Sequence, residues 1–407
     1  MKTPTSGAEA LRAPSRINRR TFLKTGACGA ALVVSAGGAA SYAQPAAGAL
    51  PDTAYRILGR TGLRVTAVSI GTLLTTEPAV IQFAFDQGVN YLDTARIYQD
   101  GKNEEYVCEA LKGYRDKVFV STKVLQGDKE TMVRSIETSL SKLGTDYVDI
   151  LFAHHLETQE QVLDPVTIEA LTEARTQGKA RFIGVSTHKN EPAVLDAMVE
   201  EKGRVYDAAM VTYSFKSDPA VKAAIARAAQ AGIGIVGMKT QAGGYQTKEL
   251  GDISPHQAAL KWVLLDPNVH TTVPSMFSLD QIKENVAVMC MDLRLSRAEE
   301  QVLETYGRAI ADRYCHRCAA CVGTCPNGVD IPTVNRCLMY AEGYRDLALA
   351  RAAYAEPPRD ASLTVPSDAN VRHDTLAACA RCDVCVARCG RGVDLERNLR
   401  RARALFA

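Results

Sequence analysis

Eight cysteines, an acid, a phenol, an amine and an imidazole are the side chains of this sequence whose types and spacing could do chemistry. Cys315, Cys318, Cys321 and Cys325 are repeated as Cys379, Cys382, Cys385 and Cys389, at the same offset of 64 residues throughout. The flanks repeat as well, Asn327-Gly328-Val329-Asp330-Ile331 against Arg391-Gly392-Val393-Asp394-Leu395. Three thiolates at equal steps in one loop, with a fourth four residues further on, have, in two copies, the spacing that binds two 4Fe-4S clusters. In that arrangement the fourth cysteine of each run serves the other run's cluster. The expected sets are therefore Cys315, Cys318, Cys321 with Cys389, and Cys379, Cys382, Cys385 with Cys325. Structural zinc and a disulfide framework are the other uses of clustered cysteines. Zinc favours two Cys-x2-Cys pairs across a longer loop, and a disulfide framework needs an oxidising compartment.

The second constellation is Asp93, Tyr98, Lys123 and His154. Its members must be positioned by the alternating elements around them. From residue 55 to about 292, short β-like runs alternate with amphipathic helical stretches. The candidate strands are Val65–Ile70, Asn90–Asp93, Val118–Lys123, Val148–Ala153, Ala180–Ser186, Ala208–Tyr213, Ile233–Met238 and Thr271–Pro274. Helical patterns include Lys129–Leu143, Val166–Thr176, Pro219–Ala231 and Pro255–Leu265. Eight βα units of this size predict an α/β (β/α)8 TIM barrel, with a doubly wound sheet as the competing arrangement. In such a barrel, chemistry sits at the C-terminal strand ends, where these four side chains fall. The run Gly232-x-Gly234-x-x-Gly237 matches a dinucleotide fingerprint literally, but it follows a helix and lies within a strand, so it is not read as a phosphate loop.

With its flanks, the set resembles the aldo-keto reductase family over roughly residues 55–296. Tyr55-Arg56-x-Leu58-Gly59-Arg60-Thr61-Gly62-Leu63 looks like the family's opening hairpin, and Asn90-Tyr91-Leu92-Asp93-Thr94-Ala95-x-x-Tyr98 like its second-strand signature. Tyr147-Val148-Asp149-Ile150-Leu151 leads to the histidine position, and Ile183-Gly184-Val185-Ser186 resembles the fifth strand. Val273-Pro274-Ser275 with Gln281-x-x-Glu284-Asn285 looks like the nucleotide-binding end. The resemblance implies Tyr98 as the general acid toward a carbonyl oxygen, with Lys123 easing its proton release. Asp93 would hold Lys123, and His154 would orient the substrate. It also implies NADP or NAD across the barrel mouth, contacted by Ser186, Tyr213, Ser275, Gln281, Glu284 and Asn285. The chain departs from the pattern at Thr187, Met210 and Met276, where side chains that hold the carboxamide and the 2′-phosphate are expected. His188 is a loop histidine with no role assigned.

Residues 305–407 read as a small α-helical ferredoxin-like domain with a helical run at Val334–Ala350 and a Pro- and Asp-rich linker from Glu356 to Asn370. A reductase barrel followed by such a module resembles an iron–sulfur branch of the family. Cys108, Cys290 and Cys337 fit no pattern and read as buried thiols, and the run Arg397 to Arg403 reads as a solvated helix face.

Residues 1–43 resemble a twin-arginine (Tat) signal: Arg19-Arg20 before Thr21-Phe22-Leu23-Lys24, a weakly apolar run to Ala40, then Ser41-Tyr42-Ala43. A short membrane anchor or a plain basic end is the alternative. Such a signal implies periplasmic export in the folded, cofactor-loaded state. Cleavage would take the net charge of +2 to about −3. Near-neutral charge excludes a nucleic-acid binder, and no run of about 20 apolar residues lies in the body of the chain. The expected function is carbonyl/alcohol interconversion on a small molecule, coupled to the clusters and a periplasmic redox partner. The alternative is a non-catalytic or nicotinamide-independent electron-transfer protein on a reductase barrel.

Overall fold

A computed structural model describes residues 50–201, 204–246, 253–316, 318, 320–355, 375–379, 382 and 384–406. The signal segment and the Glu356–Asn370 linker lie outside the described residues. An antiparallel hairpin, β1 (Tyr55–Ile57) and β2 (Arg64–Thr66), precedes eight parallel strands. These are β3 (Ile70–Gly71), β4 (Tyr91–Asp93), β5 (Phe119–Leu125), β6 (Val148–His154), β7 (Ala180–Thr187), β8 (Ala208–Thr212), β9 (Gly234–Met238) and β10 (Thr271–Thr272). They pair in chain order, and the Val68–Thr272 and Gly71–Ser275 bridges close the sheet. The Ser69 N–H donates to the Thr272 carbonyl at 2.8 Å across that seam. The (β/α)8 barrel is thus the architecture, and the doubly wound alternative is excluded.

The run Val65–Ile70 is not one strand. Val65 and Thr66 belong to the hairpin, and the chain bends before Ile70 enters the barrel. The hairpin covers the N-terminal end of the barrel, where Leu58, Leu63 and Val65 pack with the interior residues Tyr91, Phe152 and Val236. This close approach explains the glycine-rich run. A Cβ on Gly234 would stand 2.7 Å from the Leu58 side chain, and one on Gly59 would stand 2.4 Å from the Gly234 nitrogen. Gly234 is a strand residue admitting the plug, as the literal fingerprint's context indicated.

Helices α1 (Pro78–Asp86), α2 (Asn103–Leu111), α3 (Lys129–Leu143), α4 (Gln159–Val162), α5 (Pro165–Thr176), α6 (Glu191–Glu200), α7 (Pro219–Gln230), α8 (Pro255–Leu264) and α9 (Leu279–Ala287) form the outer layer. The side chains of Asp128, Asp164, Asp218, Ser254 and Ser278 accept the first orphan N–H groups of α3, α5, α7, α8 and α9. Proline at the first turn of α5, α7 and α8 costs no hydrogen bond there.

One buried group ties this core to pH. His270 Nδ1 accepts the Ile235 N–H at 2.8 Å, and burial pushes the imidazole down to about 4. The folded state therefore prefers neutral His270. Its contribution is complete above the unfolded value of ~6.5 and is lost as pH falls toward 4, by about 3 kcal/mol. His270→Gln, which keeps an acceptor, is expected to flatten the fall in melting temperature between pH 6.5 and pH 4. An unchanged slope would remove His270 as its source.

C-terminal to the barrel lie α10 (Arg297–Ala309), α11 (Ile331–Glu342), α12 (Leu347–Ala355), α13 (Thr375–Ala378) and α14 (Leu395–Phe406). The helical run expected over Val334–Ala350 is two helices broken at Gly343–Asp346. A Cβ on Gly343 would stand 2.2 Å from the Gly243 carbonyl of the loop after β9, and Arg345 adopts a left-handed φ of 58°. The break thus lets the module touch the barrel's C-terminal rim. Tyr245 and Ala242 of that rim share a core with Tyr306, Ile310, Tyr314 and Tyr340. The arginine-rich helix α14 is not merely solvated: Arg397 pairs with Asp312 and Arg401 with Glu342 at 2.6 Å. Cys337 is buried as expected, but Cys290 is exposed. Among the described residues no helix is long and apolar enough to cross a membrane.

Candidate active site

Asp93 ends β4 and Lys123 lies in β5, both almost fully buried. Lys123 Nζ donates to Asp93 Oδ2 at 2.5 Å, to the Thr94 carbonyl at 2.7 Å and to Tyr98 Oη at 3.1 Å. An ammonium has three donors, and all three are used. With its oxygen accepting from Lys123, the Tyr98 hydroxyl has its own proton to give elsewhere. Tyr98 lines a cleft of about 420 Å³ at the barrel mouth. His154 ends β6 and meets Tyr98 edge-on, ring centroids 6.1 Å apart. The four residues expected at three strand ends therefore converge.

Burial rather than Lys123 dominates the resting phenol. Desolvation, then the Asp93 carboxylate and the nearby Tyr340 and Tyr344, hold Tyr98 well above an ordinary tyrosine. The Lys123 ammonium, which was expected to ease proton release, contacts both the Asp93 carboxylate and the Tyr98 oxygen. Desolvation likewise pushes Lys123 down and Asp93 up, while their mutual contact opposes both shifts. The consequence is a phenol that is protonated at neutral pH, the form a general acid must have.

Several supporting residues escaped the sequence reading. Ser121 Oγ donates to Asp93 Oδ1 at 2.8 Å and accepts from the Tyr91 hydroxyl at 2.8 Å. Its position two residues before Lys123, on the same strand face, was the available signal. Asn103, fully buried, accepts from Thr72 Oγ1 at 2.6 Å and Thr94 Oγ1 at 2.7 Å, fixing the backbone that holds Lys123. Glu104 accepts from Thr122 Oγ1 at 2.8 Å and pairs with Arg96. Directly after Tyr98, Gln99 and Asp100 take left-handed φ values of 52° and 54°. Arg96 clamps this turn, donating to the Gly101 carbonyl at 2.7 Å. Strain of this kind persists only where its surroundings enforce it.

The residues expected at a nucleotide divide. Ser275, Gln281, Glu284 and Asn285 line the same cleft as Tyr98. Asn285 Oδ1 accepts from Gln241 at 2.8 Å, and Glu284 accepts from Ser254 Oγ. Tyr213 is not placed to stack on a cofactor. Its hydroxyl donates to Asp266 at 3.0 Å and its ring packs on Trp262, in the layer between strands and helices. Met210 and Met238 line the cleft. Ser186 is fully buried, and its Oγ accepts the His155 N–H at 3.2 Å. The module beyond the barrel also reaches this cleft, which Gly343, Tyr344 and Arg345 line on one side.

The two cysteine runs cross over. Cys325 lines one small cavity of about 80 Å³ together with Cys379, Cys382 and Cys385. Burial raises the Cys379 thiol, and Cys325, Cys382 and Cys385 are its next perturbers. Burial pushes Cys321 up to about 12, with Cys315, Cys389 and Cys318 beside it. Four cysteines around one cavity are a donor set that fits a thiolate-bound metal group, and metal binding would displace their protons. Asn327 Nδ2 donates to Cys382 Sγ at 2.9 Å, and the Arg391 N–H to Cys389 Sγ at 3.3 Å. No disulfide joins any described cysteine.

Residues 75–252 match the sequence model of the aldo/keto reductase family. L-Glyceraldehyde 3-phosphate reductase of Escherichia coli (strain K12) is 30% identical over 161 residues, covering 34% of this chain and 46% of that protein. Methylglyoxal reductase YeaE of the same strain is 28% identical over 244 residues, 56% of this chain and 84% of that one. The chain thus spans about half the length of the first of these relatives. Among solved structures, the holo form of aldo-keto reductase AKR11C1 from Bacillus halodurans superposes with a TM-score of 0.53 at 25% identity, covering 62% of this chain and 95% of that one. The aldo-keto reductase from Klebsiella pneumoniae in complex with NADPH gives 0.53 at 26% identity, covering 62% and 94%. The matched stretch lies within the barrel, and these two aldo-keto reductase structures share its fold.

Proposed function

We propose that the protein is an exported oxidoreductase that interconverts a carbonyl and an alcohol on a small molecule, with two 4Fe-4S clusters in its C-terminal module. One observation carries the reading. The three donors of Lys123 are saturated, so the proton of Tyr98 is directed into a cleft whose other end holds Ser275, Gln281, Glu284 and Asn285. The NADPH-bound Klebsiella pneumoniae relative supports NADP or NAD as the occupant of that end. A bound nicotinamide supplies hydride to the carbonyl carbon. Tyr98 gives its proton to the carbonyl oxygen, and Lys123 and Asp93 hold the phenol oxygen in place as charge changes there. His154 orients the oxygen, and the buried wall around Asp93 excludes water.

The crossed cysteine sets support the clusters, with Cys389 completing the first and Cys325 the second. Bound clusters supply one-electron exchange with a redox partner. The Tat-like segment supports assembly in the cytoplasm before passage to the periplasm. The methionines at the cleft favour one competing reading, an electron-transfer protein that does not use a nicotinamide. Anaerobically purified protein is expected to carry about eight irons and to reduce small aldehydes with NADPH or NADH. Iron without any nicotinamide-dependent turnover across a carbonyl panel would select the competing reading.

Tyr344 covers the mouth from the module side and stacks on Tyr340, ring centroids 5.5 Å apart. Tyr344→Ala is expected to speed nucleotide release about tenfold, equivalent to ~1.4 kcal/mol. A stopped-flow chase measures it, and an unchanged release rate would separate the module from cofactor retention.

A further inference from the structure

Orienting a carbonyl oxygen uses one imidazole, yet three stand together at the barrel mouth. The ligand nitrogens of His154, His155 and His188 all lie within 4.8 Å of one another. His154 and His155 are stacked with centroids 4.0 Å apart, and the His155 and His188 rings lie 4.6 Å apart. The backbone is shaped to bring them there. His155 follows the end of β6 in a left-handed conformation, φ 62°, that a non-glycine residue pays strain to adopt. Ser186 of β7 holds it, its Oγ accepting the His155 N–H at 3.2 Å and its carbonyl the Leu156 N–H at 3.0 Å. Thr187 Oγ1 donates to the Lys189 carbonyl at 2.6 Å and so turns His188 inward at the end of β7. His154 is buried and the other two are half-buried, so the cluster is enclosed on the barrel side and meets the cleft through His188.

We propose that His154, His155 and His188 form a binding site for a divalent transition-metal ion, with Zn²⁺ as its natural class of occupant. Neutral imidazoles suit zinc, and three protein ligands are the number found where a fourth position is kept for water or substrate oxygen. A metal binds in the plane of each imidazole, so sharing one ion requires the stacked His154 and His155 rings to turn out of parallel, over ligand nitrogens already within 4.8 Å. An ion held there would supply Lewis-acid chemistry to an oxygen ligand from the cleft, beside the proton of Tyr98, so that His154 would orient that oxygen through the ion instead of directly. This assignment goes beyond the proposed carbonyl chemistry and does not need it, because Tyr98→Phe tests that chemistry by turnover whereas the metal is counted directly.

The test is equilibrium dialysis of the anaerobic, iron-loaded protein against Zn²⁺, with zinc and iron counted together, followed by zinc X-ray absorption. The expected result is one zinc per chain with iron unchanged, and nitrogen or oxygen neighbours at ~2.0–2.1 Å without sulfur at ~2.3 Å. The double substitution His155→Gln/His188→Gln is expected to weaken zinc retention at least about 100-fold while keeping its iron. His188→Cys is a second check that retains a ligand, and it should place one sulfur in the zinc shell. No retained zinc, zinc bound by sulfur in the unsubstituted protein, or unchanged retention in the double variant would overturn the assignment.

Discussion

Tyr98→Phe is expected to lower the rate of carbonyl reduction by about 10²–10⁴-fold, the usual contribution of a positioned general acid. The substitution removes one oxygen and its proton and little else. The ring still fills the space beside His154, and Lys123 keeps its bonds to Asp93 and Thr94. Nucleotide affinity and iron content should therefore stay within about twofold of the parent protein, which places the loss in the chemical step. Steady-state kinetics with iron determination checks this. Turnover close to the parent value would show that the proton comes from another group, and parallel loss of iron would show a folding defect.

Cys325→Ala is expected to remove the cluster proposed for Cys379, Cys382 and Cys385, although Cys325 belongs by sequence to the other run. Iron should fall from about eight to about four per chain. The informative comparison is with Cys382→Ala and with the double variant. Cys325 and Cys382 line one cavity, so two substitutions in the same donor set should cost no more iron than one. Cys325→Ala combined with Cys318→Ala strikes both sets and should remove nearly all the iron. If the Cys325/Cys382 pair instead lost all eight, each run would be serving its own cluster and the crossed assignment would be wrong.

Much of this site was legible in the sequence because barrel chemistry is tied to strand ends. Locating Asp93, Lys123 and His154 on three consecutive strands was enough to bring them together around Tyr98. The crossed cysteine sets were legible in spacing alone. Four features were not. Tyr213 follows β8 in a run where the side-chain faces alternate, and a one-residue difference in which face it takes sends it to Asp266 and Trp262 instead of the cleft. Tyr98 is held well above an ordinary tyrosine first by desolvation and then by the Asp93 carboxylate, and burial cannot be counted from spacing. The closing of the mouth by Tyr344 and Arg345 arises from a helix break whose partner, Gly243, lies 100 residues earlier in the chain. His155 gave no signal either, since a second histidine beside the expected one reads as a neighbour until the left-handed backbone turns it to the same point.

The proposed reading makes the cleft joining Tyr98 to Ser275 and Asn285 a nicotinamide site and not a relic of one. It is tested most directly by titrating the anaerobic, iron-loaded protein with NADPH and NADH while following nicotinamide fluorescence. Saturable binding of one dinucleotide per chain is expected, weakened when Ser275 and Asn285 are both replaced by alanine. Failure of both dinucleotides to bind, with iron in place and no nucleotide released on denaturation, would contradict it.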